Sequence, residues 1–347
     1  MSLEKYTTCT AFEEEIESLE SFEIQQERIM FEDFLPDGRV NFMPISNEYK
    51  VKFNKSPLYD ESKIPLILPV KDMTGLLEYT LNNLVEHGAP SVANIIVIDD
   101  RSSQSISDVC DKFECVSYVR CDYDSGFNYA MLANIGALIS HKLESKEIIF
   151  WNSDMYLPDS ETLPRLILKH REHKPVISGT KLLYPFTDWQ GNDLSESVNM
   201  QSVTKGKADL RGKVQYGGSG INFSPQGNVT FFHSKRGADK SDIYVNTDKG
   251  VHTTTGAYCM MDLEWLVKSG GFNPSLAKVF NDIDICLRAC LQRKGVHYYG
   301  YDTFLYHEES SNLNSNSESK QDEQFTSDCV LFAKIWDTQM YNKATGF

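Results

Sequence analysis

Four short apolar runs, at residues 64–70, 95–98, 116–120 and 147–151, are interleaved with two segments of helical periodicity. In the first segment Leu76, Leu77, Leu81, Leu84 and Val85 share one face and stop at Gly88-Ala89-Pro90. In the second, over residues 127–143, Met131, Ile135, Leu138 and Ile139 do the same. A strand that is apolar on both faces must be covered on both faces, and helices are the usual cover. The pattern therefore predicts an α/β fold built on a sheet of mostly parallel strands flanked by helices. No G-x-G-x-x-G follows any of the runs, which excludes the usual dinucleotide-binding version.

The second half reads differently. Residues 175–180, 214–223, 229–233 and 257–261 predict strands between loops rich in Gly, Asn and Ser. A short helix over 262–268 should end at Gly270-Gly271. A longer one over 282–293 carries Ile283, Leu287, Cys290 and Leu291 in one stripe and stops at Gly295. A strand over 296–304 leads to His307, and a polar loop occupies 310–319. From Gln321 onward, Phe325, Val330, Phe332, Ile335 and Trp336 predict a helix that packs back on the body. In front, Phe12, Ile16, Leu19 and Phe22 stand at helical spacing around an acidic stretch, so residues 13–27 predict a helix lying on the body. Residues 35–55 look irregular or β-like. The expected division is an extension over 1–60, a main domain over 61–310, and a loop and helix over 311–347.

Composition narrows the partners. The net charge of -15 repels phosphate backbones and argues against nucleic-acid binding. It leaves room for a nucleotide substrate, because a bound divalent cation inverts the local field. No run of about 18 apolar residues is present, so no transmembrane helix is expected. The first twenty residues lack the basic and apolar regions of a secretory signal. The eight cysteines show no paired C-x-x-C knuckles, so they read as buried free thiols in a reducing compartment, not as a zinc site.

In an open α/β sheet, ligands bind outside the carboxyl ends of the parallel strands. Acidic groups stand at those ends. Asp99-Asp100 closes one run, and Asp100 can accept from a base N–H or from ribose hydroxyls; an acid there can equally cap the following turn. Asp154 follows the run EIIFW directly, and Mg²⁺ or Mn²⁺ on a diphosphate needs one or two such carboxylates. His307, after the last strand, faces the same end; imidazole beside carboxylate suits Mn²⁺ somewhat better than Mg²⁺. Asp282 and Asp284 open a helix, where the macrodipole favours negative charge. Either helix-end stabilisation or a general base near a reacting sugar accounts for Asp282.

Taken together, the segments PVKD, IIVIDDRSSQS, FNYAMLANIGA, IIFWNSDM, TGAYCMMDLEWLVKSGGFNP, FNDIDICLRACLQRKG and FLYHEES resemble, in order, the inverting family 2 glycosyltransferases, rhamnosyltransferase-like, which have the GT-A fold. The resemblance covers residues 64 to 310. It implies a GT-A-like nucleotide-binding sheet with a mixed acceptor-side half. It implies that Asp100 contacts the base, that Asp154 and His307 bind a divalent cation, Mn²⁺ or Mg²⁺, and that Asp282 is the catalytic base. Pro69, Val70 and Asp72 would line the nucleotide pocket, mainly through backbone, and Arg120 or Asp122 would also reach the nucleotide. The cation is expected to neutralise the leaving diphosphate, because the segments bring few Lys or Arg to the site. Two positions depart from the family pattern. Its DxD reads Asn152-Ser153-Asp154, and its Glu-Asp pair reads Asn281-Asp282.

The implied activity is metal-dependent sugar transfer with inversion (EC 2.4 class). The donor would be a nucleotide-diphosphate sugar and the acceptor a carbohydrate or lipid-linked saccharide. Bacterial surface polysaccharide synthesis is the implied setting, in the cytoplasm, and peripheral contact with the inner membrane face is compatible with it. Two other readings compete: a sugar-nucleotide-binding module without catalysis, suggested by the two departures, and a nucleotidyltransferase. The latter would want a Gly-rich, cation-bearing loop after the first strand, where PVKDMTG offers only Lys71.

Overall fold

The computed structural model describes residues 21–27, 45–122, 126–194, 209–225, 227–308 and 318–346. In chain order its strands are β1 (Ser21–Glu27), β2 (Ile45–Asn54), β3 (Ile64–Val70), β4 (Ala93–Asp100), β5 (Val116–Asp122), β6 (Glu147–Trp151), β7 (Met155–Tyr156) and β8 (Ile177–Thr180). They continue with β9 (Leu182–Leu183), β10 (Val214–Tyr216), β11 (Ser219–Phe223), β12 (Val229–His233), β13 (Asp248–Val251), β14 (Tyr258–Asp262), β15 (Val296–Tyr299) and β16 (Leu305–His307). The helices are α1 (Thr74–Glu86), α2 (Ile106–Cys110), α3 (Tyr129–Lys142), α4 (Thr162–His173), α5 (Leu263–Lys268), α6 (Asn281–Leu291), α7 (Glu318–Ile335) and α8 (Thr338–Thr345).

Ten strands form one sheet in the order β1-β2-β5-β4-β3-β6-β14-β8-β15-β13. Strands β5, β4, β3 and β6 pair in parallel, as the unbroken apolar runs predict. Strand β14 runs against both β6 and β8, while β8 and β15 are parallel again. The expected mixed half thus begins at β14.

Side-chain alternation gives the sheet two faces. Leu66 and Leu68 point to one, where α1 adds Leu77, Leu81 and Leu84 and α4 adds Leu163, Leu166 and Ile167. Ile67 points to the other, under Met131, Ile135 and Ile139 of α3 and the apolar sides of α5 and α6. The C-terminal segment packs back in part as expected, as two helices: Phe325 and Val330 of α7 stay exposed, while Phe332 and Ile335 of α7, Trp336 after it and Tyr341 of α8 are buried in this second core. Each such side chain contributes about 1.5–3 kcal/mol by leaving water.

A second sheet, β10-β9-β16-β7, stands at the carboxyl ends of β6 and β8. It splits two elements that read as single strands. The expected strand over 214–223 breaks at Gly217-Gly218, where φ reaches 106° at Gly218, so β10 and β11 enter different sheets. The expected strand over 296–304 ends at Tyr299; after a turn with Asp302 left-handed, the chain joins the second sheet as β16.

One expectation fails outright. Of the helix predicted over 13–27, residues 13–20 lie outside the described residues, and 21–27 are strand β1, antiparallel to β2. Within SFEIQQE the apolar Phe22 and Ile24 alternate with polar residues, and that period of two prevailed over the helical spacing. Of the buried free thiols expected, five of the seven described cysteines are buried, and Cys115 and Cys329 are half-buried. Among the described residues, no helix is long and apolar enough to cross a membrane.

Helix α4 falls where the sequence reading assigns no element, although Leu163, Leu166, Ile167 and His170 share one face. His170 is buried, with Nδ1 at 2.7 Å from Ser178 Oγ, and burial pushes its pKa down to about 4. A depressed histidine stabilises the fold above the unfolded value near 6.5 and loses that contribution as pH falls through about 4. The loss amounts to about 3 kcal/mol below both values. Urea unfolding of His170→Asn should therefore show a shallower loss of stability between pH 6.5 and 4 than the parent; parallel pH curves would contradict it.

Candidate active site

Strands β3 and β4 end side by side, with Pro69 opposite Ile98 and Val70 opposite Asp99. Both aspartates of β4 are fully buried, and each is satisfied differently. Asp99 accepts from Ser102 N at 2.8 Å, Tyr118 OH at 2.7 Å and Arg120 Nη1 at 2.8 Å. Asp100 faces Lys71 Nζ at 3.2 Å and Arg101 Nε at 3.1 Å. Arg120 also holds Asp122 at 3.1 Å, so both of these expected nucleotide contacts bond first to one another. Cations are thus present at this end, contrary to the expectation of few Lys or Arg, but each stands against an acid.

Asp72 binds the neighbouring loop. It adopts a left-handed φ of 57°, and its Oδ1 accepts Ser103 N at 2.7 Å and Ser103 Oγ at 2.8 Å. Its own N–H donates to Ser102 Oγ at 2.7 Å. The loops after β3 and β4 therefore form one rim beside Pro69 and Val70.

The pairing of β7 with β16 sets Met155 opposite His307 and brings together two distant residues. His307 Nε2 lies 3.2 Å from Asp154 Oδ1, and Glu308 N donates to Asp154 O at 3.0 Å. The ring is oriented by Gln215 of β10, a fully buried residue that sequence reasoning missed. Gln215 Nε2 donates to His307 O at 3.1 Å, which turns its Oε1 toward His307 Nδ1 at 2.7 Å. The proton then sits on Nδ1, and Nε2 is left to face Asp154. Nothing local in the sequence marks Gln215; only the second sheet gives it this position.

Glu308 was missed too. It accepts Tyr156 OH at 2.8 Å and Trp189 N at 3.1 Å, and burial pushes its pKa up to about 7. The ring of Trp189 covers Gly75 in the first turn of α1, where a Cβ would come within 2.5 Å of it. Trp189 therefore bridges the loop after β3 to the segment after β16.

Asp282 lies on the other flank. The ends of β6 and β14 connect it to Asp154: Asn152 N donates to Ala257 O at 2.9 Å, and next to it Gly256 N donates to Asp282 Oδ2 at 2.7 Å. Ile283 N donates to Oδ1 at 2.8 Å. Asp282 keeps part of its surface exposed, but protein packs round the carboxyl group, and that burial raises its pKa against the two N–H donors. A carboxylate with a raised pKa is a stronger base than an ordinary one. Asp284, two residues on, points inward to Arg288 at 2.9 Å. Among the described residues, no three His, Cys, Asp or Glu side chains converge as a ready-made ion site.

Residues 66–235, just under half of the chain, match the model of glycosyl transferase family 2. Over that segment the chain is similar to the family 2 glycosyltransferases. The match takes in Asp100, Asp154 and Gln215 and stops short of Asp282 and His307. Among solved structures, GalNAc-T7 with UDP, GalNAc and Mn²⁺ is similar with a TM-score of 0.50 at 11% identity, over 71% of this chain and 43% of that one. S. aureus TarS 1-349 in complex with UDP-GlcNAc follows at 0.47 and 13%, over 82% and 70%. The mannosyltransferase PcManGT from Pyrobaculum calidifontis with GDP-Man and Mn²⁺ stands at 0.44 and 11%, over 84% and 75%. At such identities the first likeness shows the fold alone, and this chain spans less than half of that structure's length. No curated protein matches the chain.

Proposed function

We propose that this chain is a glycosyltransferase that moves a sugar from a nucleotide-diphosphate donor to an acceptor hydroxyl with inversion at the anomeric carbon. Bacterial surface polysaccharide synthesis is the setting we assign. The observation that carries the reading is Asp282, an ionisable group held by two backbone N–H donors at the end of the parallel sheet and made more basic by burial. Asp282 takes the acceptor's proton. The acceptor oxygen then forms its bond to the anomeric carbon on the face opposite the diphosphate. The bond from that carbon to the diphosphate oxygen breaks, and its electron pair leaves with the nucleotide. We assign Asp100, with Pro69, Val70 and Asp72, to the nucleotide. Arg120 and Asp122 would have to exchange their mutual contact to reach it.

The donor set around Asp154 fits a divalent cation. Two ligands about 2.1 Å from one ion and at right angles to it lie about 3 Å apart, close to the 3.2 Å between Asp154 and His307. Gln215 supplies the hydrogen bond that metal-bound histidines typically make through their second nitrogen. When bound there, Mn²⁺ or Mg²⁺ would offset the charge growing on the leaving diphosphate. Asp154 and His307 would offer a cation only one carboxylate and one imidazole, so cation and donor are expected to bind together.

A thermal-shift panel of nucleotide sugars, run with Mn²⁺ and with chelator, tests this, since a bound donor raises Tm by mass action. We expect nucleotide-diphosphate affinity to drop at least about tenfold in chelator, and His307→Ala to show the weakened affinity even with Mn²⁺. Superimposable curves with and without chelator would remove the cation.

A further inference from the structure

Three side chains from one edge of α7 converge on the segment that carries Asp282. They stand four residues apart, at 328, 332 and 336, so they share a face of the helix and its end. Asp328 is fully buried and accepts three consecutive backbone N–H groups, from Ala277 at 3.3 Å, Lys278 at 2.8 Å and Val279 at 3.0 Å. Gln324, one turn earlier, donates to Asp328 Oδ1 at 2.7 Å. Phe332 stacks on Phe280 with ring centroids 4.5 Å apart and planes 21° from parallel. Trp336 donates Nε1–H to Asp284 Oδ1 at 2.9 Å.

The gripped segment needs holding. Phe280 immediately precedes α6 and has φ 63° and ψ 0°, a conformation that costs a bulky residue on the order of 1–3 kcal/mol. No side chain caps the helix at that position. Such a conformation persists only where its surroundings over-determine it. Here Asp328 fixes the three residues before Phe280, Phe332 fixes its ring, and Trp336 fixes the first turn after it. A change of φ at Phe280 would swing Asp282 away from Gly256.

We propose that α7 is the clamp that sets the catalytic base, and that Asp328 is a positioning residue acting on Asp282 through residues 277–280. This rests on Asp282 being the base. The clamp lies beyond residue 235, outside the matched family segment, so its partners are this chain's own. The groups around the Asp282 carboxyl from its packed neighbours are Tyr129 of α3, Tyr216 of β10, Cys259 of β14 and Cys286 of α6. None supplies a cation, so burial dominates, and loosening the segment would admit water to Asp282.

The test is Asp328→Asn in the full chain, which offers one acceptor oxygen and turns an NH₂ toward backbone N–H groups. We expect kcat to fall ~10- to 100-fold, as for a misplaced catalytic group. Donor KM should change less than about twofold, and the acid limb of the pH–kcat profile should move to lower pH. If Asp328→Asn does not fold, Phe332→Leu is read on the same criteria. An unchanged kcat, or a loss that only follows the folded fraction with the acid limb fixed, overturns the clamp. Asp282→Asn is run alongside. If it is inactive while Asp328→Asn is intact, the clamp alone falls; if it retains turnover, the base assignment and the clamp fall together.

Discussion

Asp282→Asn should lower kcat roughly a thousandfold while leaving donor affinity within about twofold of the parent, because a positioned general base is worth about 10²–10⁴. The side effects are calculable. Asn has one acceptor oxygen where Asp282 uses two, toward Gly256 and Ile283. Losing one of those bonds costs on the order of 1 kcal/mol, too little to unfold an average domain. Single-turnover rates with saturating donor isolate the chemical step, and calorimetric titration of the nucleotide reports binding. Turnover near that of the parent would leave the proton without an acceptor here and sink the mechanism.

The largest stability effect belongs to the neighbouring acid. Asp284→Ala should cost about 3–5 kcal/mol, the usual penalty for stripping one partner from a buried ion pair. Asp284 and Arg288 are both fully buried at 2.9 Å, and Arg288 also donates to Ser269 O at 3.0 Å and to Gly271 O. Burial alone lowers the pKa of Arg288, and Asp284 works against that. Without Asp284 the guanidinium keeps its two carbonyl acceptors but loses its counter-charge and the partner of Nε, and the Trp336 indole N–H loses its acceptor. Replacing both members, as Asp284→Leu with Arg288→Met, should recover much of the loss, since apolar pairs of similar volume often match a buried ion pair. Guanidinium unfolding of the parent, Asp284→Ala and the double variant compares the three stabilities. A loss under about 1 kcal/mol in Asp284→Ala would mean that water reaches Arg288.

These two acids mark how far the sequence could be read. In the chain, Asp282 and Asp284 look alike, two acids in one helical turn with the same claim on the macrodipole. Being two positions apart, they lie on different sides of the helix, and only packing decides which is immersed. The core strands were legible because apolar runs such as ILP and IIVI leave no polar face to orient. Strand β1 was not, because Phe12, Ile16, Leu19 and Phe22 also satisfy a helical period. The breaks at Gly217-Gly218 and at Asp302 escaped for another reason: each moves the chain from one sheet to another, which no local pattern encodes. The same second sheet pairs Met155 with His307 and lodges Gln215 behind the ring. Asp154 and His307 could be named from their strand ends, but the residue that aims the histidine could not.

Trp189 has a practical consequence. The other three tryptophans, Trp151, Trp265 and Trp336, are buried away from solvent, while Trp189 is half-exposed between α1 and Glu308. Light emitted by the molecule therefore divides into three sources shielded by the core and one beside Glu308 and the first turn of α1. The red edge of its emission reads the surroundings of that single ring, so a donor bound beside these strand ends can be followed optically without attaching a dye.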